Sequence, residues 1–140
     1  MEIENINKKN KEILSYDFFG KHLLANYIDC SFEALIDFKK LEEVIKKGCI
    51  AAKATVLDYK SQIFQPNNGF SMIVLLSESH ASIHTYPEHK SCFIDFFTCG
   101  TTCQPQNFND ILQNFLKPKV IKQKIFLREN QIEEEHFQRK

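Results

Sequence analysis

A serine, a histidine and a cysteine lie close together in the middle of the chain, on segments that have the composition of β-strands. Ser79, His84 and Cys99 follow one another within a short stretch, and Glu78 directly precedes the serine. A hydroxyl can act as a nucleophile. An imidazole with an ordinary pKa of about 6.5 can accept a proton near neutral pH, and a thiol with an ordinary pKa of about 8.5 can donate one. The stretch therefore carries the groups for nucleophilic and proton-transfer chemistry.

Two strands joined by a turn are predicted to hold these groups. Residues 83–86 and 93–97 are rich in β-branched and aromatic side chains, which suit a pleated, half-buried surface. The Pro-Glu-His-Lys sequence at 87–90 is typical of a turn, because proline fixes φ and cannot donate to a strand ladder. The composition thus indicates a β-hairpin.

The turn sets the register of the predicted hairpin. If it is centred on residues 88 and 89, the numbers of opposed residues sum to about 177. Ser79 then lies opposite Thr98 with Cys99 as its diagonal neighbour, and His84 lies opposite Phe93. Residues 79 and 84 have opposite parity, so on a regular strand their side chains point to opposite faces. For His84 to act on Ser79 the chain must bend, and we predict a β-bulge between them.

Further strands and two helices must position this hairpin. Apolar periodicity predicts helices at 31–53 and 107–116 and strands at 18–28, 55–64, 70–76 and 120–127. Gly48 is a weak point within the first helix, and Asn107 or Asn109 is expected to cap the second. Successive strands joined by short loops predict an α+β fold, a two-layer sandwich with an antiparallel sheet and both helices packed on one face.

The strand predicted at 70–76 is almost continuously apolar, which is typical of a strand buried on both faces. Two helices on one face of the sheet leave its other face open. We therefore expect a partner chain to cover that second face.

Length and charge limit the possible classes of protein. The 140 residues suit one domain, and the polar segments 1–15 and 129–140 are expected to be loose tails. The 18 basic and 18 acidic residues balance, so nothing predicts a nucleic-acid partner. No apolar run is long enough to cross a bilayer, so no membrane association is expected.

The five cysteines show no disulfide framework spacing, and the N-terminus has no signal-peptide pattern. We therefore expect a cytoplasmic protein with thiols rather than disulfides. Four of the thiols have no assigned role: Cys30, Cys49, Cys92 and Cys103.

Paired motifs resemble the short, prokaryotic-type S-adenosylmethionine decarboxylase proenzymes. Residues 77–88 read Ser-Glu-Ser-His-x-x-Ile-His-Thr-aromatic-Pro-Glu, and residues 95–100 read Asp-x-Phe-Thr-Cys-Gly. Upstream, the Gly-Phe-Ser at 69–71, Phe64 and the Gly-Lys-His-Leu-Leu at 20–24 also match the family pattern. The resemblance extends over roughly residues 18 to 128.

This resemblance implies self-cleavage between Glu78 and Ser79. In the family the serine hydroxyl attacks the preceding carbonyl and forms an ester. A β-elimination and the loss of ammonia then leave a pyruvoyl group at the new N-terminus. The pyruvoyl carbonyl can then form a Schiff base with a substrate amine. The resemblance further implies that His84 removes the serine Cα proton, that Ser71 hydrogen-bonds the processing intermediate, and that Cys99 protonates the product.

The resemblance also implies S-adenosylmethionine as substrate, an aminopropyl donor for polyamine synthesis as product, and a homodimer of cleaved chains. Phe64 would stack on adenine, Tyr86 would also bind the substrate, and Glu88 would accept hydrogen bonds from the ribose. Tyr86 replaces the usual tryptophan, the turn at 89–91 differs, and the loop at 67–69 is one residue longer. These departures lie near substrate-facing positions, so self-cleavage is better supported than substrate identity.

Three alternatives remain. Some relatives of this fold use a pyruvoyl group to decarboxylate ornithine or arginine. A non-catalytic homologue is disfavoured, because the three reactive residues are intact. A metal site is disfavoured as well, because the i, i+4 histidines 80 and 84 suit zinc only on a helix. Its candidate ligands would be His80, His84, His89, Cys99 and Cys103.

Overall fold

A six-stranded antiparallel sheet carries a layer of helices on one face. The computed structural model of the protein describes residues 18–100 and 102–129. The strands are β1 (Gly20–Ile28), β2 (Val56–Phe64), β3 (Gly69–Leu76), β4 (Ser79–Tyr86), β5 (Ser91–Cys99) and β6 (Val120–Arg128). The helices are α1 (Phe32–Ile36), α2 (Phe38–Ala51) and α3 (Pro105–Leu116), and Pro87–His89 forms a 3-10 turn.

The strand order is β2-β3-β4-β5-β1-β6, with every neighbouring pair antiparallel. The predicted α+β sandwich is therefore confirmed, with α1 as a short additional helix before α2. Apart from Glu129, the tails predicted at 1–15 and 129–140 lie outside the described residues. In the described ranges no helix combines the length and apolar character needed to cross a membrane.

The core lies between the sheet and the helices. Successive residues of β4 alternate between buried and accessible positions, as a period of two requires when one face is covered. The face packed on the helices is called the inner face below, and the opposite one is called the outer face. The largest fully buried side chains come from both layers: Tyr27, Phe70, Phe96, Phe108, Leu23, Leu35, Leu41, Ile45, Met72, Leu76, Ile83 and Leu112.

Gly48 does not interrupt α2 but lets it approach α3. A Cβ at this position would lie 3.0 Å from both Leu112 Cδ1 and Phe108 Cδ2. The glycine that weakened the sequence-based helix prediction is therefore explained by close packing, which compensates for its poor helix propensity.

The caps predicted for the last helix are wrong. Helix α3 starts two residues before Asn107, with Pro105 in its first turn after Gln104. Proline suits that position because its missing N–H would be unpaired there anyway. Asn109 is instead fully buried, and it accepts hydrogen bonds from the Tyr27 hydroxyl.

The hairpin register is confirmed, whereas the predicted bulge is wrong. His80 pairs with Phe97 and His84 with Phe93, so opposed residue numbers sum to 177. Strand β4 pairs with β3 without a register shift from Ser79 to His84. The side chains of residues 79 and 84 therefore remain on opposite faces of a regular strand.

Strand β3 is buried on one face only. Met72 and Val74 are fully buried on the inner face, whereas Ile73 and Leu75 are 57% and 54% exposed on the outer face. The prediction of two-sided burial is thus wrong for a single chain. The exposed residues of β3 form part of an apolar outer face, which also includes Leu24 and Phe93.

Candidate active site

A tight turn presents the bond that the sequence predicts to be cleaved. Strand β3 ends at Leu76 and β4 begins at Ser79, so only Ser77 and Glu78 connect the two strands. Glu78 has a left-handed φ of 58°. Such a conformation costs a non-glycine residue about 1 to 3 kcal/mol, which the surrounding pairing must offset.

Ser79 meets Cys99 at the open end of the hairpin, as predicted. The Ser79 side chain is buried on the inner face, and its Oγ accepts a hydrogen bond of 3.0 Å from the backbone N–H of Cys99. Side chains alternate between the two faces along β5, and this alternation places the Cys99 side chain on the outer face. The serine is therefore held by the backbone of the residue whose thiol faces the other way.

A cleft beside this turn contains the residue before Ser79 and the thiol. We call it the cleavage cleft; its volume is about 350 Å³. Gly20 of β1 lies between Cys99 and Arg128 in the sheet, and a Cβ on it would lie 2.4 Å from the Phe97 ring. The cleavage cleft is lined by Phe18, Phe19, Gly20, Glu78, Phe97, Cys99, Arg128 and Glu129.

The other predicted residues lie together at the opposite end of the hairpin. Ser71 and His84 are directly paired across β3 and β4, and Ser71 Oγ is 2.8 Å from His84 Nδ1. Phe64, Tyr86 and Glu88 line the same cleft, whose volume is about 330 Å³. We call this the His84 cleft; its lining is Phe64, Gln65, Pro66, Asn67, Gly69, Ser71, His84, Thr85, Tyr86 and Glu88.

The two clefts are far apart within one chain. His84 lies five positions after Ser79 on a regular strand, which corresponds to about 17 Å at roughly 3.3 Å per residue. The structure thus brings Ser79 together with Cys99, and His84 together with Ser71 and the predicted substrate-binding residues. It does not bring His84 to Ser79.

A hydrogen-bonded network that the sequence did not predict lies next to the cleavage cleft. Asp95 Oδ2 is 2.7 Å from His22 Nε2 and 3.2 Å from His80 Nε2, while the Ser82 hydroxyl donates to Asp95 Oδ1. Burial disfavours the charge of Asp95, yet the hydrogen bonds from Ser82 and His22 and the nearby imidazoles hold its pKa below the ordinary value. Asp95 therefore stays ionised on a half-buried strand.

Aromatic contacts extend this network to the wall of the cleavage cleft. The Phe97 ring lies 5.5 Å from the His22 ring and 5.6 Å from the His80 ring. The Arg128 guanidinium carbon lies 5.1 Å from the centre of the Phe97 ring, and one Arg128 nitrogen is 3.3 Å from His22 Nδ1. Residue Asp95 was visible in the sequence as an acid within an apolar strand, but its partners come from strands distant in sequence.

Metal-ligand geometry in the described ranges differs from the sequence-based alternative. The described His, Cys, Asp and Glu side chains that converge as possible ligands are His22, His80 and Asp95. His80 is therefore shared with the sequence-based set, whereas the other four candidates are not part of this group: His84, His89, Cys99 and Cys103. Both imidazoles already contact the same carboxylate oxygen. Hydrogen bonding explains this trio without an ion.

The remaining thiols do not line either cleft. Cys30 and Cys92 are buried and contact each other, and their hydrogen bond lowers the pKa of Cys30 and raises that of Cys92. Burial raises the pKa of Cys49 to about 12. Cys103 donates to the backbone carbonyl of Lys53 over 3.6 Å. No disulfide links the cysteines in the described part of the chain.

Comparisons with known proteins agree with the motifs. A family model described as S-adenosylmethionine decarboxylase matches residues 21–129. The S-adenosylmethionine decarboxylase proenzyme 2 of Bacillus cereus is 42% identical over 106 residues, which cover 76% of this chain and 85% of the relative. The proenzyme of Brevibacillus brevis is 40% identical over 106 residues, covering 76% of this chain and 79% of that one.

A solved structure agrees as well. The crystal structure of the adenosylmethionine decarboxylase from Aquifex aeolicus superimposes with a TM-score of 0.72 at 28% identity, covering 88% of this chain and 99% of that chain. The resemblance inferred from the paired motifs is therefore confirmed, and the chain belongs to the S-adenosylmethionine decarboxylase family.

Proposed function

We propose that the chain is a self-processing decarboxylase of S-adenosylmethionine, whose product donates aminopropyl groups in polyamine synthesis. The observation that carries this proposal is the placement of Ser79 at a tight turn, beside Cys99 and directly after a left-handed Glu78. Relatives at about 40% identity are named as proenzymes of this activity. A reducing, cytoplasmic setting fits the thiol state of the cysteines.

Self-processing begins with the Ser79 hydroxyl. Its oxygen forms a bond to the Glu78 carbonyl carbon while the peptide C–N bond breaks, so the peptide becomes an ester. Removal of the Cα proton of residue 79 then expels the Glu78 carboxylate, which keeps the former serine oxygen. Water replaces the nitrogen of the resulting terminus, ammonia leaves, and a pyruvoyl group remains.

The chain's own residues prepare these steps. The N–H of Cys99 fixes Ser79 Oγ at 3.0 Å, and it remains there as a donor when charge develops on that oxygen. The left-handed Glu78 raises the energy of the intact turn, so cleavage relieves about 1 to 3 kcal/mol of backbone strain.

The pyruvoyl group supplies a carbonyl that binds the substrate amine and accepts electrons when carbon dioxide leaves. Cys99, on the wall of the cleavage cleft next to residue 79, then donates a proton to the carbon that lost carbon dioxide. A thiol suits this role because it is mostly protonated at neutral pH.

The base that removes the Cα proton comes from a second copy of the chain. His84 is about 17 Å from Ser79 along its own strand and faces the other way. The outer face that carries His84 also exposes Leu24, Ile73, Leu75 and Phe93, an apolar surface of the kind that associates. A homodimer that covers this face can bring the His84 cleft of one copy to the cleavage cleft of the other.

The same arrangement unites the substrate-binding residues with the reacting carbon. Phe64 and Tyr86 offer aromatic faces for adenine and for the sulfonium cation, and Glu88 offers an acceptor for ribose hydroxyls. All three lie in the His84 cleft, so a single dimer contact supplies both the processing base and the nucleoside pocket.

Co-expression of two inactive variants tests the shared site. Ser79→Ala lacks the attacking hydroxyl, and His84→Ala lacks the base, so neither alone yields the pyruvoyl-terminated fragment. In a mixed dimer the Ser79→Ala copy supplies His84 to the intact Ser79 of the other copy. We expect mass spectrometry to show that fragment from the His84→Ala chain only.

His89→Ala serves as the control, because it removes an exposed histidine from the turn of the same hairpin. This variant should cleave without a second variant being co-expressed. Absence of the fragment from the mixed sample, with dimers present, would contradict a site shared between chains.

Replacement of Cys99 by alanine separates cleavage from turnover. Cys99→Ala keeps the backbone N–H that holds Ser79, so the chain should still cleave. Turnover of S-adenosylmethionine should fall about 100-fold or more, because the proton donor is gone. Cys103→Ala, which removes a thiol outside both clefts, should behave like the wild type. Undiminished turnover by cleaved Cys99→Ala would assign proton donation to another group.

Glu88→Gln tests the nucleoside substrate. Loss of a charged acceptor for ribose should weaken binding of S-adenosylmethionine by about 10-fold to 100-fold, since such hydrogen bonds contribute roughly 1.5 to 3 kcal/mol. Glu43→Gln, on the exposed side of α2, is the matched control. Carbon dioxide release from S-adenosylmethionine, ornithine and arginine should be compared. Activity on an amino acid alone would reverse the substrate assignment.

A further inference from the structure

The Asp95 network stands next to the residue that becomes a chain end. His80 directly follows Ser79, and its side chain lies on the outer face, bound to Asp95. Asp95 also binds His22 from β1 and Ser82 from β4, so it connects three strands. Neither the processing steps nor the decarboxylation steps derived above use this carboxylate.

Cleavage removes two of the tethers that hold residue 79 in the intact chain, while the strand pairing of β4 with β3 is left in place. Before cleavage the two-residue turn fixes it covalently to Leu76, its partner on β3. Its Oγ is also fixed by the Cys99 N–H. After cleavage the covalent link to Glu78 is gone, and the serine oxygen has left with the Glu78 carboxylate. Chain ends fray unless something ties them down.

Besides the strand pairing of β4, the side chain of His80 can tie the new end down. It is covalently next to residue 79 and has a charged partner, and hydrogen bonds to charged groups are stronger than neutral ones. Asp95 is also held by His22 of β1 and by Ser82, which lies further along β4 from the new end, so it does not simply follow a moving His80. The Phe97 ring packs against both imidazoles and forms part of the cleavage cleft.

We propose that Asp95 is a positioning residue for decarboxylation: it binds His80 and so fixes the pyruvoyl-bearing end of β4 against Cys99 and the cleavage cleft. This inference rests on the proposed function, because it concerns the cleaved chain. It assigns Asp95 a role after cleavage and none before it. The low pKa of the Asp95 carboxyl is consistent with a charge that persists under working conditions.

The experiment compares cleavage with turnover in the same variant. Asp95→Asn keeps the side-chain shape but removes the charge. Intact-mass kinetics should show cleavage within a few fold of the wild type, because the turn still holds residue 79. The kcat of the cleaved enzyme should fall about 10-fold to 100-fold, since a small misplacement of a reacting group has an effect of that size. Its KM should change less.

A double-mutant cycle tests whether Asp95 acts through His80. His80→Gln should reproduce the turnover defect, and the Asp95→Asn/His80→Gln double variant should be no slower than the worse single variant, because both changes break one contact. Asp58→Asn is the matched control: Asp58 lies on β2 opposite Leu75, and its carboxylate bonds only the adjacent Tyr59 N–H among the described contacts. It should match the wild type.

Each outcome decides the inference. Wild-type-like turnover by cleaved Asp95→Asn, or additive losses in the double variant, would overturn the positioning role and leave the proposed function intact. Loss of cleavage in both Asp95→Asn and His80→Gln would also overturn it, by showing that the network acts before cleavage. A wild-type chain that neither cleaves nor carries a reactive carbonyl would overturn the proposed function, and this inference with it.

Discussion

Side chains along strand β4 alternate between the two faces of the sheet, and this alternation is the constraint on which the site depends. Because β4 pairs with β3 without a shift, Ser79 faces the helices while His84 faces outward at the far end of the strand. No rotamer change in either residue can overcome a separation of about 17 Å. Residues that the proposed function requires to act on one another are therefore divided between two clefts, and a second copy is the direct way to unite them. The apolar outer face offers the surface for that copy.

The inner face explains how the chain tolerates a break at its centre. Strands β3 and β4 remain paired from Ser71 to Leu76 with His84 to Ser79, and Met72, Val74, Ala81 and Ile83 stay fully buried in the core. The proposed cleavage after Glu78 would therefore release a strained turn without exposing the core. What it loosens is the end of β4 itself, and the contacts of His80 lie at that end. In the proposed mechanism, burial on the inner face therefore keeps the cleaved chain folded, and polar anchoring on the outer face positions its new end.

Local patterns predicted the elements, and the turn predicted the register. The sum of 177 for opposed residues followed from the position of one turn, and it placed Ser79 beside Cys99 correctly. The bulge was predicted wrongly because His84 and Ser79 were assumed to meet within one chain. The cap of α3 was missed because an asparagine signal competed with Pro105, whose fixed φ begins the helix earlier. The Asp95 network could not be predicted, because it depends on β1 lying next to β5, a pairing between distant segments.

The most direct test of self-processing is the intact mass of the purified wild-type chain after prolonged incubation. Two fragments are expected, one ending in Glu78 with a free carboxylate and one beginning with a pyruvoyl group in place of Ser79. Their summed mass should equal that of the uncut chain plus one water minus one ammonia. A Ser79→Ala sample should stay whole. A wild-type chain that remains at full mass, or fragments that break elsewhere, would contradict the proposed chemistry.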